Sequence, residues 1–508
     1  MITGEIKNKL DRPWDAMWSN QMTNPWIDIQ QVTYLIFIKM LDDNQIKVER
    51  KLNDMIAHGV PVSALNYNPL FKNGNYVDEE NKIDVSYKNL RWSTFKEFEP
   101  KKMFDNLKNN VFPFIKSLHG ERETAFANFM KNAEFAVSNP YILDKMVAVL
   151  SDETLGLNDK DLMGDCYEYL LSKMATSGDN GQFRTPRHII DMMVELARPT
   201  LADTIIDPAM GTAGFLAESA KYVQRNFPKE MMNKDNNRHF NNTMFTGYDT
   251  DTDMLRIGCM NMTLHGVENP TIKYNNSLSE DYADHDLYSL ILANPPFSGS
   301  LDPSQVAKSL NLISGGTKST ELLFLALFLR LLKVGGRCVS IIPVGVLNNT
   351  NEKAYTRLRT QLVEEQKLEA IIYMPNGVFQ PYSGVQTGIL VFTKTNSGGT
   401  DKVWLYNMEA DGYSLDQKRD KIDADDIPDI VARWNNLAAE NERTPYDKSF
   451  FITKQDIVDN GYVFSFNKYH KKEIVKKEYR PTSEIIKSIQ DLEEQFKAVM
   501  DEICKGVN

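Results

Sequence analysis

The tetrapeptide Asn294-Pro295-Pro296-Phe297 closes an apolar run, Tyr288-Ser289-Leu290-Ile291-Leu292-Ala293, and its residue types suit one kind of chemistry. Two successive prolines fix the backbone and remove two N–H donors, so this strand end presents carbonyls almost alone. The residue before a proline is held in the extended region, which makes Asn294 the last residue of the strand. An amide oxygen and a main-chain carbonyl, both acceptors, then lie beside an aromatic face. A planar NH2 group offers two hydrogens to such a pair. Its nitrogen lone pair is delocalised into the ring that carries it and is a poor nucleophile. Accepting both hydrogens favours a tetrahedral nitrogen with its lone pair aimed at a methyl donor. The same carbonyl dipoles stabilise the positive charge that develops there. A flat ring stacked on Phe297 gains about 1–3 kcal/mol. Taken alone, the tetrapeptide also fits an ordinary Pro-Pro turn; two motifs that precede it in sheet order argue against that.

The first is Asp207-Pro208-Ala209-Met210-Gly211-Thr212-Ala213-Gly214-Phe215, a strand end running into a glycine loop and a helix. Glycines let the backbone approach a ligand, and a helix N-terminus offers free N–H groups. No Lys-Ser/Thr follows the Gly-x-x-Gly, so the ligand is not a triphosphate. A tight strand–helix turn would look similar. The second is Gly247-Tyr248-Asp249, an acid at the end of the next strand, placed to accept hydrogen bonds from ribose hydroxyls. Asp249 follows Asp207 by more than the ~20 residues of a dinucleotide site. The polar stretch 229–242 reads as a loop insertion that explains the excess. By itself Asp249 could equally be a solvated turn acid.

These motifs need a frame. From Gly164 onward short β-rich segments at 204–207, 244–248, 288–293, 336–343, 369–374 and 388–394 alternate with helical ones at 213–226, 253–265 and 319–332. That alternation predicts an α/β fold with a parallel, doubly wound sheet ending near Lys394, whose ligands sit beyond the carboxyl ends of the strands. Before it, apolar residues fall at helical spacing: Ile29, Val32, Leu35, Ile36, Ile38 and Met40, closed by Asp42 and Asp43, then Phe126, Phe129, Ala133 and Val137. Residues 60–93, rich in Asn, Pro and Gly, read as a loop. The expected division is a helical domain over 1–160, the sheet domain over 161–480 and a C-terminal helix over 481–508. In that last helix Ile485, Ile489, Leu492, Phe496, Val499 and Ile503 form a heptad seam. The seam either packs on the chain's own sheet domain or docks a partner helix.

Composition narrows the field. The net charge of −11 is the wrong sign for a chain that grips duplex DNA unaided, because phosphate neutralisation supplies most of that affinity. A local basic cleft can still hide inside an acidic total. The four cysteines, Cys166, Cys259, Cys338 and Cys504, form no CxxC pair and read as thiols in a reducing cytosol, with no metal site. No apolar run is long enough to span a bilayer and residues 2–15 lack a signal-peptide layout, so a cytoplasmic protein is expected.

In these motifs the sequence resembles the amino-group DNA methyltransferases over more than half its length. Gly181-Gln182-Phe183-Arg184-Thr185-Pro186 resembles the cofactor motif that precedes the family's glycine loop. The order, with Asn-Pro-Pro-Phe last, is similar to the adenine-type arrangement called gamma. Gly377-Val378-Phe379 and Ser383-Gly384-Val385-Gln386-Thr387-Gly388 resemble a later motif that helps hold the target base. The N-terminal helical region with Trp14, Trp18 and the 29–40 helix, together with Cys166-Tyr167-Glu168-Tyr169, resembles the modification subunit of type I restriction–modification systems.

The resemblance implies a Rossmann-like, S-adenosylmethionine-dependent methyltransferase acting on the N6 amine of adenine. Asn294, Pro295, Pro296 and Phe297 would be catalytic. Gln182, Phe183, Arg184, Thr185, Pro186, Asp207, Gly211, Thr212, Ala213, Gly214, Asp249, Asn276 and Ser277 would bind the cofactor. Partners would be DNA, a specificity subunit, a second modification subunit and a restriction subunit. Asn275-Asn276-Ser277-Leu278 replaces the family's Gly-Asp-Ser/Thr-Leu, which leaves Asn276 an uncharged contact to the cofactor's adenine. Ser289 stands where an Asp often precedes the strand end and reads as structural. Rival substrates are other planar amines: a protein glutamine, an RNA guanine or the N4 of DNA cytosine. Phe297 and the N-terminal helical domain favour DNA, and Asn294, where Ser is common among cytosine enzymes, favours adenine. A non-catalytic assembly subunit is opposed by the intact loop and tetrapeptide.

Overall fold

The computed structural model describes residues 25–59, 69–121, 133–152, 185–472 and 481–505, with isolated residues between them. A nine-stranded sheet organises the chain. Its strands are β1 (Ile205–Asp207), β2 (Phe245–Asp249), β3 (Thr271–Tyr274), β4 (Tyr288–Ala293), β5 (Leu332–Pro343), β6 (Lys367–Tyr373), β7 (Thr387–Thr393), β8 (Lys402–Asn407) and β9 (Ser449–Thr453). They lie in the order β9-β8-β6-β7-β5-β4-β1-β2-β3. The pairings among β3, β2, β1, β4 and β5 are parallel. Helices α4 (Gly214–Asn226), α5 (Thr252–Leu264) and α6 (Thr320–Leu331) make the crossovers. Strand order reverses at β1 and β4, the place in a doubly wound sheet where strand ends part and a ligand can enter.

The sheet is mixed rather than wholly parallel. Helix α7 (Lys353–Glu364) carries the chain from β5 to β6, leaving one gap between them. β7 fills the gap antiparallel to both. No helix intervenes between β6 and β7, and only an antiparallel return manages without a crossover. The sheet also continues past Lys394: β8 joins β6 in parallel and β9 joins β8 antiparallel. The expected insertion at 229–242 is partly a helix, Lys234–Asn242. Asn233 caps it by accepting from the N–H groups of Asp235 and Asn236, and Phe240 is buried against Phe245.

On the N-terminal side α1 (Pro25–Ala57) does not stop at Asp42 and Asp43. Asp42 is buried, accepts from Arg91 at 2.6 Å and from the Ser93 N–H at 2.7 Å, and so helps anchor the following segment instead of ending the helix. The segment read as a loop contains a hairpin, Asn75–Asp78 with Ile83–Ser86, whose Tyr76 packs edge-on against Phe114. Gln30 of α1 donates to Asp253 of α5 at 2.9 Å, which joins the helical region to the sheet. Helices α2 (Pro140–Leu150) and α3 (Arg187–Ala197) follow. The last helix, α8 (Thr482–Lys505), shows no buried residue among those whose burial is described: its apolar seam, Ile485 through Ile503, faces solvent and not the chain's own sheet. Cys166, Cys259 and Cys338 are buried and in no disulfide, and no described helix is long and apolar enough to cross a membrane.

Behind the sheet Arg359 of α7 is fully buried without an ion-pair partner among the described residues. It donates to three main-chain carbonyls, Tyr462 at 2.6 Å, Val346 at 2.8 Å and Asn349 at 2.8 Å. Burial lowers its pKa to about 10, so the guanidinium stays charged at neutral pH. These bonds fasten the segment after β9, through Tyr462, and the segment after β5, through Val346 and Asn349, to α7. Arg359→Met should lower stability by about 3–5 kcal/mol, because three main-chain carbonyls lose the charged donor they share, the Val346 one in a fully buried bond. Urea unfolding of the full chain checks this; an unchanged midpoint would show that water replaces the guanidinium at no loss.

Candidate active site

The carboxyl ends of β1, β2 and β4 carry the three motifs. At the end of β1 the chain turns sharply: the Met210 N–H donates to the Tyr248 carbonyl and the Ala213 N–H to the Met210 carbonyl. Gly211 and Ala213 both adopt positive φ, +51° and +59°. Left-handed geometry is easy for glycine and strained for alanine, so a fully buried environment must hold Ala213 there. Gly214 serves another purpose. A Cβ on it would lie 2.8 Å from Ile190 Cδ1, so a larger residue would push the Ile190 side chain aside where α3 packs on the start of α4. Asn261 of α5 donates to the Thr212 carbonyl at 2.9 Å and steadies the loop.

Asp249, ending β2, turns back toward this loop. One carboxylate oxygen accepts from the Gly211 N–H and the other from the Asp251 N–H, both at 2.9 Å. Each oxygen keeps a lone pair for a further donor. Burial raises its pKa in spite of those N–H groups. Asp207 on the neighbouring strand is fully buried. Burial and the charge of Asp249 push it up to about 8 against the bond from the Ala209 N–H, so it is largely protonated at neutral pH. Asp207 therefore shapes the loop from below, while Asp249 faces the opening.

Of the two residues expected after β3, Asn276 is exposed and its side-chain oxygen accepts from the Leu278 N–H at 3.2 Å. Ser277 is buried and donates to the Pro208 carbonyl at 2.6 Å, so it supports the turn from behind. Gln182, Phe183, Arg184, Trp14 and Trp18 lie outside the described residues.

β4 is buried along its whole length and delivers Asn294 beside β1. Its start is anchored at the far end of the sheet, where Ser289 donates to Asp203 at 2.6 Å and Arg337 pairs with Asp203 at 2.9 Å. At the site end Ser340 donates to the Ala293 carbonyl at 3.1 Å. The Asn294 amide nitrogen donates to the Thr185 hydroxyl at 2.9 Å. Its amide oxygen is buried and, among the described residues, has no hydrogen-bond partner. Phe297 is only 6% exposed and meets Phe379 edge-on, ring centres 5.2 Å apart. The aromatic wall is thus a pair drawn from two motifs. An unpaired acceptor at a donor-poor strand end, beside aromatic rings and across β1 from a glycine loop, is equipped to hold a planar amine.

One brace went unread in the sequence. His188, in the first turn of α3, bonds Asp411 at 2.9 Å, Arg419 pairs with the same oxygen, and the His188 ring stacks on Tyr413 at 4.6 Å. Burial opposes ionisation of Asp411, yet the bonds from His188 and Arg419 hold its carboxyl below the usual range. The hairpin that carries it, Asp411–Tyr413 with Lys421–Asp425, sits in a polar stretch that looks like surface loop. From the same region the Leu415 carbonyl lies 2.2 Å from where a Cβ on Gly377 would be, so the loop bearing Phe379 depends on glycine there. Among the described residues no cluster of His, Cys, Asp and Glu could hold a metal.

Comparison with known proteins agrees with this geometry. The N-6 DNA Methylase family model matches residues 158–478, and the HsdM N-terminal domain model matches residues 6–150. The methylase subunit of the type I restriction enzyme EcoEI from Escherichia coli is 30% identical over 375 residues, 72% of this chain and 73% of that protein. The EcoKI methylase subunit from Escherichia coli strain K12 is 30% identical over 59% of this chain and 58% of that one. In fold, a type I restriction–modification methyltransferase subunit from Streptococcus thermophilus superposes with a TM-score of 0.66 at 18% identity, covering 92% of this chain and 99% of that chain. A chain of a type I restriction–modification system gives a TM-score of 0.66 at 21% identity over 98% and 97%.

The buried acid at the loop sets a pH dependence. Asp207 ionises near 3.8 in the unfolded chain and near 8 when folded. Between those values the folded state holds the extra proton, so stability falls as pH rises, by at most about 1.4 kcal/mol per pH unit. Above about pH 8 the loss is complete. Asp207→Asn keeps the acceptor for Ala209 and cannot ionise, so its stability relative to wild type should improve from pH 5 to pH 7.5. Urea melts at the two pH values test this, and a constant gap would mean that Asp207 is already ionised in the fold.

Proposed function

Because the chain belongs to the N-6 DNA methylase family, we propose that it transfers a methyl group from S-adenosylmethionine to the N6 amine of adenine in DNA, as the modification subunit of a type I restriction–modification complex. The unpaired amide oxygen of Asn294 carries this reading. It accepts one N6 hydrogen and the Pro295 carbonyl accepts the other. With both hydrogens held, the nitrogen lone pair leaves the ring plane and attacks the methyl carbon as the carbon–sulfur bond breaks. One N6 hydrogen is then lost as a proton. Phe297, with Phe379, holds the extruded adenine, which pairing inside the duplex would keep out of reach.

The chain's residues fit the cofactor. S-adenosylmethionine supplies the electrophilic methyl group. Asp249 has lone pairs turned toward the loop for ribose hydroxyls, and the N–H groups of Thr212 and Gly214 line the helix start, those of Gly211 and Ala213 being bonded to Asp249 and Met210. Thr185 and Pro186 close the other side, Gln182, Phe183 and Arg184 are assigned to the cofactor with them, and Asn276 reaches the cofactor's adenine from its exposed turn. The helical domain spans 1–160, the methyltransferase domain 161–480 and the docking helix 481–508. The complex works in the cytoplasm.

Two substitutions separate the roles. Asp249→Ala should weaken S-adenosylmethionine binding by about 1–3 kcal/mol through lost charge-assisted bonds. Asn294→Ala should leave that binding nearly intact and abolish methylation by the assembled enzyme. Calorimetry and transfer of labelled methyl to unmodified host DNA read the two effects; wild-type methylation by Asn294→Ala would refute the mechanism.

The exposed seam of α8 supplies the link to partners. Eight apolar side chains, from Ile485 to Ile503, stand in solvent along one helix. A chain of net charge −11 needs a partner to be held on DNA. We assign the seam to the specificity subunit, which also brings a second modification subunit and, when present, the restriction subunit. Deleting residues 481–508 should leave a folded chain that binds cofactor but does not co-purify with the specificity subunit. Undiminished assembly by the truncated chain would move the docking surface elsewhere.

A further inference from the structure

We propose that Thr387 supplies a second buried polar contact to the extruded adenine: its hydroxyl donates to a ring nitrogen of the base whose amine Asn294 holds. The proposal rests on Asn294 being the amine acceptor.

A base drawn out of the duplex gives up hydrogen bonds on its ring as well as on its amine. A pocket that meets only the amine leaves the ring nitrogens, which are acceptors, unpaired. Phe297 and Phe379 have no side-chain donor to offer them, and Pro295 and Pro296 carry no N–H. A hydroxyl can answer a ring nitrogen. The resemblance of residues 383–388 to a base-holding motif assigns no atom to that task.

Thr387 opens β7, and side chains along a strand alternate between its faces. Ile389 and Val391 belong to the core cluster that contains Phe297 and Phe379, while Leu390 and Phe392 belong to the cluster on the other face. Thr387 therefore stands on the face of the aromatic pair. Along β4, Leu290 and Leu292 join that same cluster while Ile291 and Ala293 do not. The alternation continues onto Asn294, which the following proline keeps extended, and puts it on this face too. Register fixes the spacing. Ala293 pairs with Ser340 and Thr387 with Pro343, so Asn294 and Thr387 lie two strands apart and two residues out of step, about 12 Å between Cα atoms. Two side chains reaching in from that separation can meet opposite edges of one purine. Phe297 follows β4 and Phe379 follows β6, so the rings meet across β5 and β7, and Thr387 begins the strand beside the Phe379 segment. Its carbonyl accepts from the Met374 N–H at the start of that segment, at 3.0 Å.

The state of the hydroxyl carries the assignment. Thr387 is 1% exposed, and its side-chain oxygen has no hydrogen-bond partner among the described residues. Such a group is costly to bury, and valine has nearly the same shape without the cost. Gln386, one residue earlier, is exposed, so the hydroxyl sits just beneath the surface at the mouth of the site. The amide oxygen of Asn294 is likewise buried and unpaired. One group can only accept and the other can donate, and adenine offers the matching pair, an amine and a ring nitrogen.

The test uses the full chain purified in complex with its specificity subunit. Tritiated S-adenosylmethionine is the donor, and genomic DNA from a host lacking the gene is the acceptor. Thr387→Val removes the hydroxyl and keeps the shape; Thr387→Ser keeps the hydroxyl. Thr387→Val should lower kcat/KM for DNA about 10- to 100-fold, with cofactor affinity by calorimetry changed less than about threefold. It should also melt at the wild-type temperature or above, because no buried partner is stranded when the hydroxyl goes. Thr387→Ser should return kcat/KM to within about threefold of wild type. Methylation lost while stability is kept is the opposite of what a hydroxyl bonded within the fold would give. Wild-type kcat/KM in Thr387→Val overturns the proposal; so does a lowered melting temperature, or a serine variant as impaired as the valine one. Asn294→Ala, measured alongside, tests the underlying reading separately: if it is inactive while Thr387→Val is normal, only the role of Thr387 fails.

Discussion

An amine that must surrender both hydrogens to acceptors can be bound only where donors are absent, and few places in a folded chain meet that condition. Backbone N–H groups are everywhere, and a strand end normally displays several. Pro295 and Pro296 remove two in succession, directly after the central strand β4. The position matters as much as the composition. β4 lies between β1 and β5, is buried over all six residues, and is tied at its start by the Ser289, Asp203 and Arg337 network. A strand so anchored does not slide, so its last residue is delivered to a fixed point beside the glycine loop. Much of the remaining site is arranged around that point.

The glycine loop shows the same economy of space. Met210 fills the volume beneath it: a Cβ on Gly247 would come within 2.4 Å of the Met210 sulfur, and one on Gly258 within 3.0 Å of its terminal methyl. Two glycines outside the loop motif thus let a single buried side chain support the turn. Asp207 contributes polarity in the same cramped space, held largely protonated by burial and by its neighbour Asp249. Half-buried Asp249 and fully buried Asp207 end adjacent parallel strands, yet their surroundings give them different states and different work.

The site's main features were legible in sequence because they are local. The strand 288–293 matched residue for residue, since an apolar run stopped by Asn-Pro-Pro has no other reading. The glycine loop and Asp249 were found at strand ends for a similar reason. Elements fixed by tertiary contacts were less visible. β3 is a short edge strand with Lys273 and Tyr274 exposed, so it lacks a periodic signal. The apolar run 403–406 of β8 is masked in the sequence by the Gly-rich turn before it, which resembles the end of a sheet. α1 outran its apparent acidic stop because Asp42 is satisfied by Arg91, 49 residues away. Thr185 appeared only as part of a motif; its bond to Asn294 spans 109 residues and no local pattern encodes it.

The hairpin Asp411–Tyr413 with Lys421–Asp425 gives these separate parts a common brace. Through Asp411 it grips His188 in the first turn of α3, three residues beyond Thr185. Through Leu415 it presses on Gly377, two residues before Phe379, whose ring meets Phe297. One side of the hairpin therefore bears on the start of α3, beside the Thr185 hydroxyl that receives the Asn294 amide, and the other bears on the aromatic pair proposed to hold the base. A buried carboxylate with two cationic or polar partners is rigid once formed and costly to open. The acceptor and the stacking wall belong to different strands and different motifs, yet they share this support. The spacing between the amide oxygen and the ring pair is consequently a property of the folded hairpin as well as of the tetrapeptide in which both Asn294 and Phe297 reside.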